Sequence, residues 1–312
     1  MLHLRVICPP GTTQVVLQRL CSNRGVTHLT VLPGTAVDPA GDLVQADVAR
    51  EAADGVLSDL CELGIDHTGG ITLEPLDTVL SDAADTAQRA APGDPADAVV
   101  WDELLARTGD DSRLTVTFLT FLTLACLIAV VGVVTDSPVT VVGAMVVGPE
   151  FGPLAAFAVG LVLRRWDLVS RAVLALAVGF PLAMLIATAG ALLGEGVGLI
   201  DGTAVSSAKQ VDFIYHVGPF SLILALLAGA AGMLALTSAK SAALVGVFIS
   251  VTTVPAAAFA VVAATIGAWH TAAESSVQLL VNLLGIVIAA VLVLVLRTRR
   301  HGRGLRRPLP AG

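Results

Sequence analysis

The chain has 312 residues, 55% of them hydrophobic and 14% charged, with a mean hydropathy of +0.84. That is far more apolar than a soluble globular domain, so a lipid bilayer is the expected solvent. The charge of −7 is split between an acidic first part, with 18 acids and 6 arginines up to residue 112, and a basic remainder with 7 acids and 12 Lys/Arg, a pattern that gives nucleic-acid binding no support.

The first residues, MLHLRVICPPG, lack the basic start, apolar run and small-residue cleavage site of a secretion signal, so a cytoplasmic N-terminus is expected. Residues 2–7 read as a strand, 12–22 as a helix and 26–32 as a strand. A strand at 42–48, a helix at 51–63 and a strand at 70–76 follow. The order βαββαβ is that of a ferredoxin-like α+β domain, placed at residues 1–78. CPPG at 8–11 reads as a tight turn, with a ligand loop as the alternative. His3, His28 and His67 show no ligand spacing and read as ordinary surface or strand residues. Cys8, Cys21, Cys61 and Cys126 show neither CxxC nor Cys/His spacing and read as reduced structural thiols, so no metal and no cofactor is expected.

Residues 79–112, rich in Ala, Asp and Pro, read as a linker with a short helix at 98–107. From 113 to 297 six apolar segments follow, at about 114–134, 137–163, 168–193, 218–237, 241–267 and 275–296, each long enough for a hydrocarbon core of roughly 30 Å. A basic tail, 298–312, ends the chain. Alternate connections hold Arg107, Arg113, Arg164, Arg165, Arg171, Lys240 and the tail arginines, whereas the opposite ones hold only Lys209 among basic residues. The positive-inside rule then puts both termini in the cytoplasm of a multi-pass inner-membrane protein. The basic tail is also suited to contact with anionic lipid.

The second segment, SPVTVVGAMVVGPEFGPLAAFAVGLVL, is interrupted at its middle by Gly148, Pro149, Glu150, Gly152 and Pro153. Its run from Pro153, PLAAFAV, returns in the fifth segment as PAAAFAV from Pro255. Two copies of a three-span unit are inverted by parity, and an interrupted helix at the same place in each is the sequence pointer to an alternating-access transporter. A chance match of apolar sequence, or a kink that serves packing alone, is the plainer alternative. On the first view both second helices are broken, and their freed backbone groups are sites for a substrate or ion.

Glu150 is the one acid deep inside a span. A proton- or cation-coupling role competes with that of a structural carboxylate that is paired or wetted. Ser250, Thr252 and Thr253 precede Pro255, where their hydroxyls either ligate an ion or bond back to the helix. Glu274, Gln278 and Asn282, four apart, share one face of the sixth helix, as a vestibule lining or as its interfacial end. Asp212 and His216 lack a third metal ligand. Trp101 reads as a packing residue. Gly148 and Gly152 form a GxxxG suited to close helix approach, and a homo-oligomer is expected. No Walker loop, HExxH, GxSxG or twin CxxC occurs, and no catalytic role is assigned.

The stretches VVGAMVVGPEFGPL and AGAAGMLALTSAKSAALVGVFISVTTVP, after a domain that opens with a strand and a Pro-Gly turn, resemble the uncharacterised hydrophobic-domain membrane family known as domain of unknown function 389. The resemblance runs from about residue 2 to 296 and implies a bacterial-type inner-membrane protein without an assigned activity. It also implies two departures: the position of Glu150 is usually apolar in that family, and Pro255 is usually followed by a second proline where this chain has Ala256. The resemblance thus moves weight from Glu150 to the backbone at the two Gly/Pro positions. The function expected is secondary transport of a small solute or ion, with the first domain regulating or assembling the transporter. An ion channel, or a ligand-sensing or scaffolding membrane protein, is the alternative.

Overall fold

A computed structural model describes residues 1–93, 98–198, 219–238 and 245–300, with the backbone alone for 219, 245–252, 299 and 300. The chain divides into two compact units, the first comprising residues 1–104 and the second the described residues 105–236 and 245–300.

In the first unit β1 (Leu2–Cys8), α1 (Thr13–Ser22), β2 (Val26–Val37), β3 (Ala40–Val48), α2 (Arg50–Glu62), the one-turn α3 (Ile65–Thr68) and β4 (Gly70–Pro75) follow in order. The sheet order is β2-β3-β1-β4 with every pairing antiparallel, which is the split-βαβ arrangement read from the sequence. Alternation explains the layer: Leu2, Leu4, Val6 and Cys8 are buried on one face of β1. They meet Val16 and Leu20 of α1 and Val56 and Leu60 of α2 in one core. His3 and Arg5 stand on the opposite face. Gly11, at φ 90°, closes the CPPG turn, where Thr12 N and Oγ1 both donate to the Pro9 carbonyl, at 3.1 and 2.8 Å. β2 is five residues longer than the periodicity of 26–32 suggests, because it pairs with β3 past two register irregularities.

Residues 79–112 contain two helices, α4 (Asp82–Ala90) and α5 (Trp101–Asp111). Ala91 and Val100 join the core of the first unit, Trp101 N donates to Asp54 Oδ1 at 3.0 Å, and Arg50 pairs with Glu103 at 3.0 Å. The segment read as a linker therefore contributes to packing up to Leu104.

The second unit is helical: α6 (Val116–Val134), α7 (Pro138–Val147), α8 (Phe151–Val162), α9 (Trp166–Gly196), α10 (Pro219–Thr237), α11 (Val245–Thr265) and α12 (Trp269–Arg300). Among the described residues α6, α9, α10 and α12 are long and apolar enough to cross a membrane, and α7 with α8, bent by 52°, pass the same test as a pair, which is the form of a broken span or a re-entrant loop. The sixth expected span, 241–267, includes 241–244, outside the described residues; its described side chains give a shorter apolar stretch, Thr253–Thr265.

Large apolar side chains such as Leu185, Leu193, Phe220, Leu227, Leu284, Ile288 and Leu292 are exposed along α9, α10 and α12. On a protein in water they would form a costly continuous apolar surface; in lipid they face a matching solvent. This is the construction of a multi-pass membrane protein.

α11 is the central helix. From Thr253 to Ala263 every residue is buried, and the helix packs against α6, α7, α9 and α12. An apolar helix with small residues on all sides suits that position. α11 also corrects an expectation, because it runs unbroken through Pro255. A lone proline forfeits one helical hydrogen bond while its φ suits the helix, and the burial of the surrounding residues holds the backbone in place. Of the two helices expected to break, the second alone does so. Gly148 and Pro149 act together there, the residue before a proline being driven to extended backbone.

The connections are tight and alike. After α8, Arg165 N donates to Gly160 O at 2.8 Å with Arg164 at φ 56°. After α11, Ala268 N donates to Ala263 O at 2.8 Å with Gly267 at φ 78°. Trp166 and Trp269, both exposed, begin the helices that follow.

Candidate functional site

The site is built on the interruption between α7 and α8. α7 starts on an N-cap: Ser137 Oγ accepts from Thr140 N at 3.4 Å, and Pro138 fits the first helical position. It ends at Val147 because Gly148 takes φ −64°, ψ 125° ahead of Pro149. α8 then begins after Glu150, with Pro153 inside its first turn, where a missing N–H removes no helical bond. Gly152 lets α8 approach α5 closely: a Cβ there would come within 2.7 Å of Asp111 Cβ.

The Glu150 side chain does not cap α8 and is fully buried. Thr253 of α11, also fully buried, donates from Oγ1 to Glu150 Oε1 at 2.6 Å. The carboxyl group stands next to the N-terminus of α8, whose aligned peptide dipoles favour negative charge. Sequence reasoning named both residues but not their contact. Gly148, Pro149, Glu150, Gly152 and Pro153 are thus joined with Thr253, two residues before Pro255. The side chains of Ser250 and Thr252 lie outside the described residues, as do Asp212 and His216.

Asn282 belongs to a second polar group. It is fully buried in α12, as is Gln278 one turn earlier. Ser221 Oγ of α10 donates to Asn282 Oδ1 at 3.0 Å, and Gln278 Nε2 donates to Asn282 Oδ1 at 3.3 Å and also to Ser221 Oγ. Glu274, the first member of the stripe, is exposed and lies 3.5 Å from His270. The stripe thus changes character along its length. One turn further along, Ala225 of α10 and Ile286 of α12 share an apolar cluster with Leu154 of α8, so α8, just past the interruption, packs on the same two helices as the second polar group. Ser221 escaped the sequence reading because an isolated serine at a helix start carries no signal.

A third grouping, on the open face of the sheet in the first unit, was also missed. His3 and Asp47 are direct cross-strand partners, and His3 Nδ1 lies 2.8 Å from Asp47 Oδ1. His28, at φ 51° within the irregularity of β2, brings Nδ1 to 2.6 Å from Asp47 Oδ2 and Nε2 to 2.8 Å from Ser81 Oγ, at the start of α4. These residues line an open groove of about 620 Å³. Burial alone would raise the Asp47 pKa, but the hydrogen bonds and charges of His3 and His28 outweigh it and hold the carboxyl below its usual value. His3 and His28 are strand residues at the surface, as read from the sequence, but their common partner Asp47 was not foreseen, because a bulge re-aims a side chain in a way no spacing rule anticipates. Cys8, by contrast, is buried and close to Asp42, which push its thiol up to about 11. Among the described residues no cluster of three or more His, Cys, Asp or Glu is arranged to hold a metal ion.

The model of the family described as Domain of unknown function (DUF389) matches residues 145–288. This part of the chain is similar to that family. The DUF389 match contains the α7–α8 interruption, Thr253 and the whole Ser221–Gln278–Asn282 group. No curated protein and no solved structure matches the chain.

Proposed function

We propose that this protein is a secondary transporter of a small solute or ion, and that the interruption at Gly148–Glu150 together with α11 forms its pathway. The observation that carries the proposal is the Thr253–Glu150 hydrogen bond, between residues 103 apart. The same separation relates Trp166 to Trp269, Arg164 to Gly267, and the 160–165 turn bond to the 263–268 bond. Recurrence at one spacing supports two related three-span copies. Glu150 and Thr253 lie within one residue of equivalence by the 102-residue spacing of the Pro153 and Pro255 runs, and a contact between near-equivalent positions is what an approximate two-fold axis between inverted copies would produce. Substrate sites in such transporters lie near that axis, where interrupted helices supply backbone groups. On this proposal the protein is a homo-oligomer of the inner membrane with both termini in the cytoplasm, the basic connections favour that orientation, and the first unit regulates or assembles it.

Reconstitution of the full chain into proteoliposomes tests this. Uptake that saturates and shows exchange of internal for external solute is the expected result. Single-channel currents would replace the carrier with a pore. Ligand binding confined to the first unit, with no flux of any kind, would replace it with a sensor. If Glu150 carries a proton, E150Q abolishes the pH dependence of uptake; unchanged dependence reduces Glu150 to a structural carboxylate.

A further inference from the structure

We infer that Ser221, Ser275, Gln278 and Asn282 form a binding site for a dehydrated alkali-metal cation between α10 and α12. Ser275, Gln278 and Asn282 follow one another at spacings of three and four along α12, so they share a face. Ser275 is 1% exposed and the other two are fully buried. Gln278 directs its amide N–H groups to Ser221 Oγ and Asn282 Oδ1, which turns its carbonyl oxygen the other way along the same face. Gln278 Oε1 and Ser275 Oγ, both buried, have no hydrogen-bond partner among the described residues. Two such oxygens on one helix face are expensive in an apolar interior and call for an electrophilic partner.

The chemistry of the donors selects the ion. All four side chains are neutral and offer hydroxyl or amide oxygens, the ligands of hard cations. Burial of a divalent ion among neutral oxygens would leave two charges uncompensated, and Ca²⁺ and Mg²⁺ sites use carboxylates to avoid that. The nearest acid on this helix, Glu274, is exposed and beside His270. A monovalent ion of Na⁺ or K⁺ type needs less compensation. The Gln278 amide nitrogen now lies within reach of both the Ser221 and Asn282 oxygens, and a half-turn of the amide would put Oε1 beside them, so that three of the four oxygens gather at one place. Gly285 allows the close approach of the two helices that such a site needs, since a Cβ there would lie 3.1 Å from Ala225 Cβ. Identification of this ion as the coupling ion rests on the transport proposal, whereas its binding does not.

Thermal unfolding of the purified full chain in detergent separates the two. At fixed ionic strength, the midpoint is compared in LiCl, NaCl, KCl and N-methyl-D-glucamine chloride. A saturable rise with at least one alkali cation over N-methyl-D-glucamine is expected, following the linkage between binding and stability. Q278L should abolish that rise, and the milder S275A should shift its half-saturating concentration upward by about tenfold or more, as expected when a ligand contact of about 1.4 kcal/mol is lost. Equal midpoints in all four chlorides would overturn the site, as would an unchanged cation dependence in both variants. Cation-dependent stabilisation without uptake in proteoliposomes would keep the site and remove the transport proposal.

Discussion

At the scale of single residues, the Glu150–Thr253 pair sets the clearest expectation. Thr253→Val keeps the shape and removes the donor, leaving a buried carboxyl oxygen without that bond; a loss of about 1–3 kcal/mol in unfolding free energy is expected. Thr253→Ser, which keeps the hydroxyl, should recover most of it. Asp47 gives a pH-dependent test. Its carboxyl is held below its usual value in the folded chain, so its contribution is fully present above the ordinary carboxylate range near 4 and fades as pH falls through the depressed value. Asp47→Asn should therefore melt lower than the natural chain at pH 7, and the gap should narrow below about pH 4. A gap that widens in acid would contradict the assignment. The sequence marked Glu150 as unusual because an acid inside an apolar segment stands out. It could not reveal Thr253 as the partner, since that pairing is set by the packing of α11 against α7 and α8.

At the scale of elements, the agreement between sequence and structure follows the strength of the local signal. β1 alternates with a strict period of two, and α1 and α2 each have one apolar stripe, so their limits were legible to within about two residues, as is usual for helix ends. The break after Val147 was legible because glycine and proline act locally. The continuity of α11 was not, because there the same residue type is overruled by burial on all sides. The bulge in β2 depends on pairing with β3 and left no mark. Helix contacts give a further prediction. A Cβ on Gly229 of α10 would collide with the Ile286 carbonyl of α12, whereas one on Gly143 of α7 would meet nothing within 4 Å. Gly229→Ala should lower stability by about 1–3 kcal/mol through overpacking. Gly143→Ala should be neutral or stabilising by about 0.5–1 kcal/mol from helix propensity alone. Paired melting curves in detergent measure both.

For the whole molecule, the boundary of the first unit has practical weight. Its core extends past the sheet to Ala91 and Val100, and the Arg50–Glu103 pair lies beyond the end read from the sequence at residue 78. A fragment of residues 1–104 should thus unfold cooperatively and at higher temperature than one of 1–78; equal melting of the two would show that residues 79–104 add nothing to the fold. The general plan, an α+β unit before a helical membrane unit, was readable from hydropathy and charge, since both are sums over many residues.

The α7–α8 segment and α11 differ in stiffness. The first carries a fixed bend of 52°, while α11 is continuous but lacks one rung of its hydrogen-bond ladder, because Pro255 has no N–H to offer the Val251 carbonyl. A rod with a missing rung yields at that point before any other. The chain therefore holds one elbow already flexed and one still straight with its hinge cut, and the Thr253–Glu150 bond ties the straight one, two residues from its hinge, to the flexed one. Any movement that breaks or makes that bond also loads the hinge.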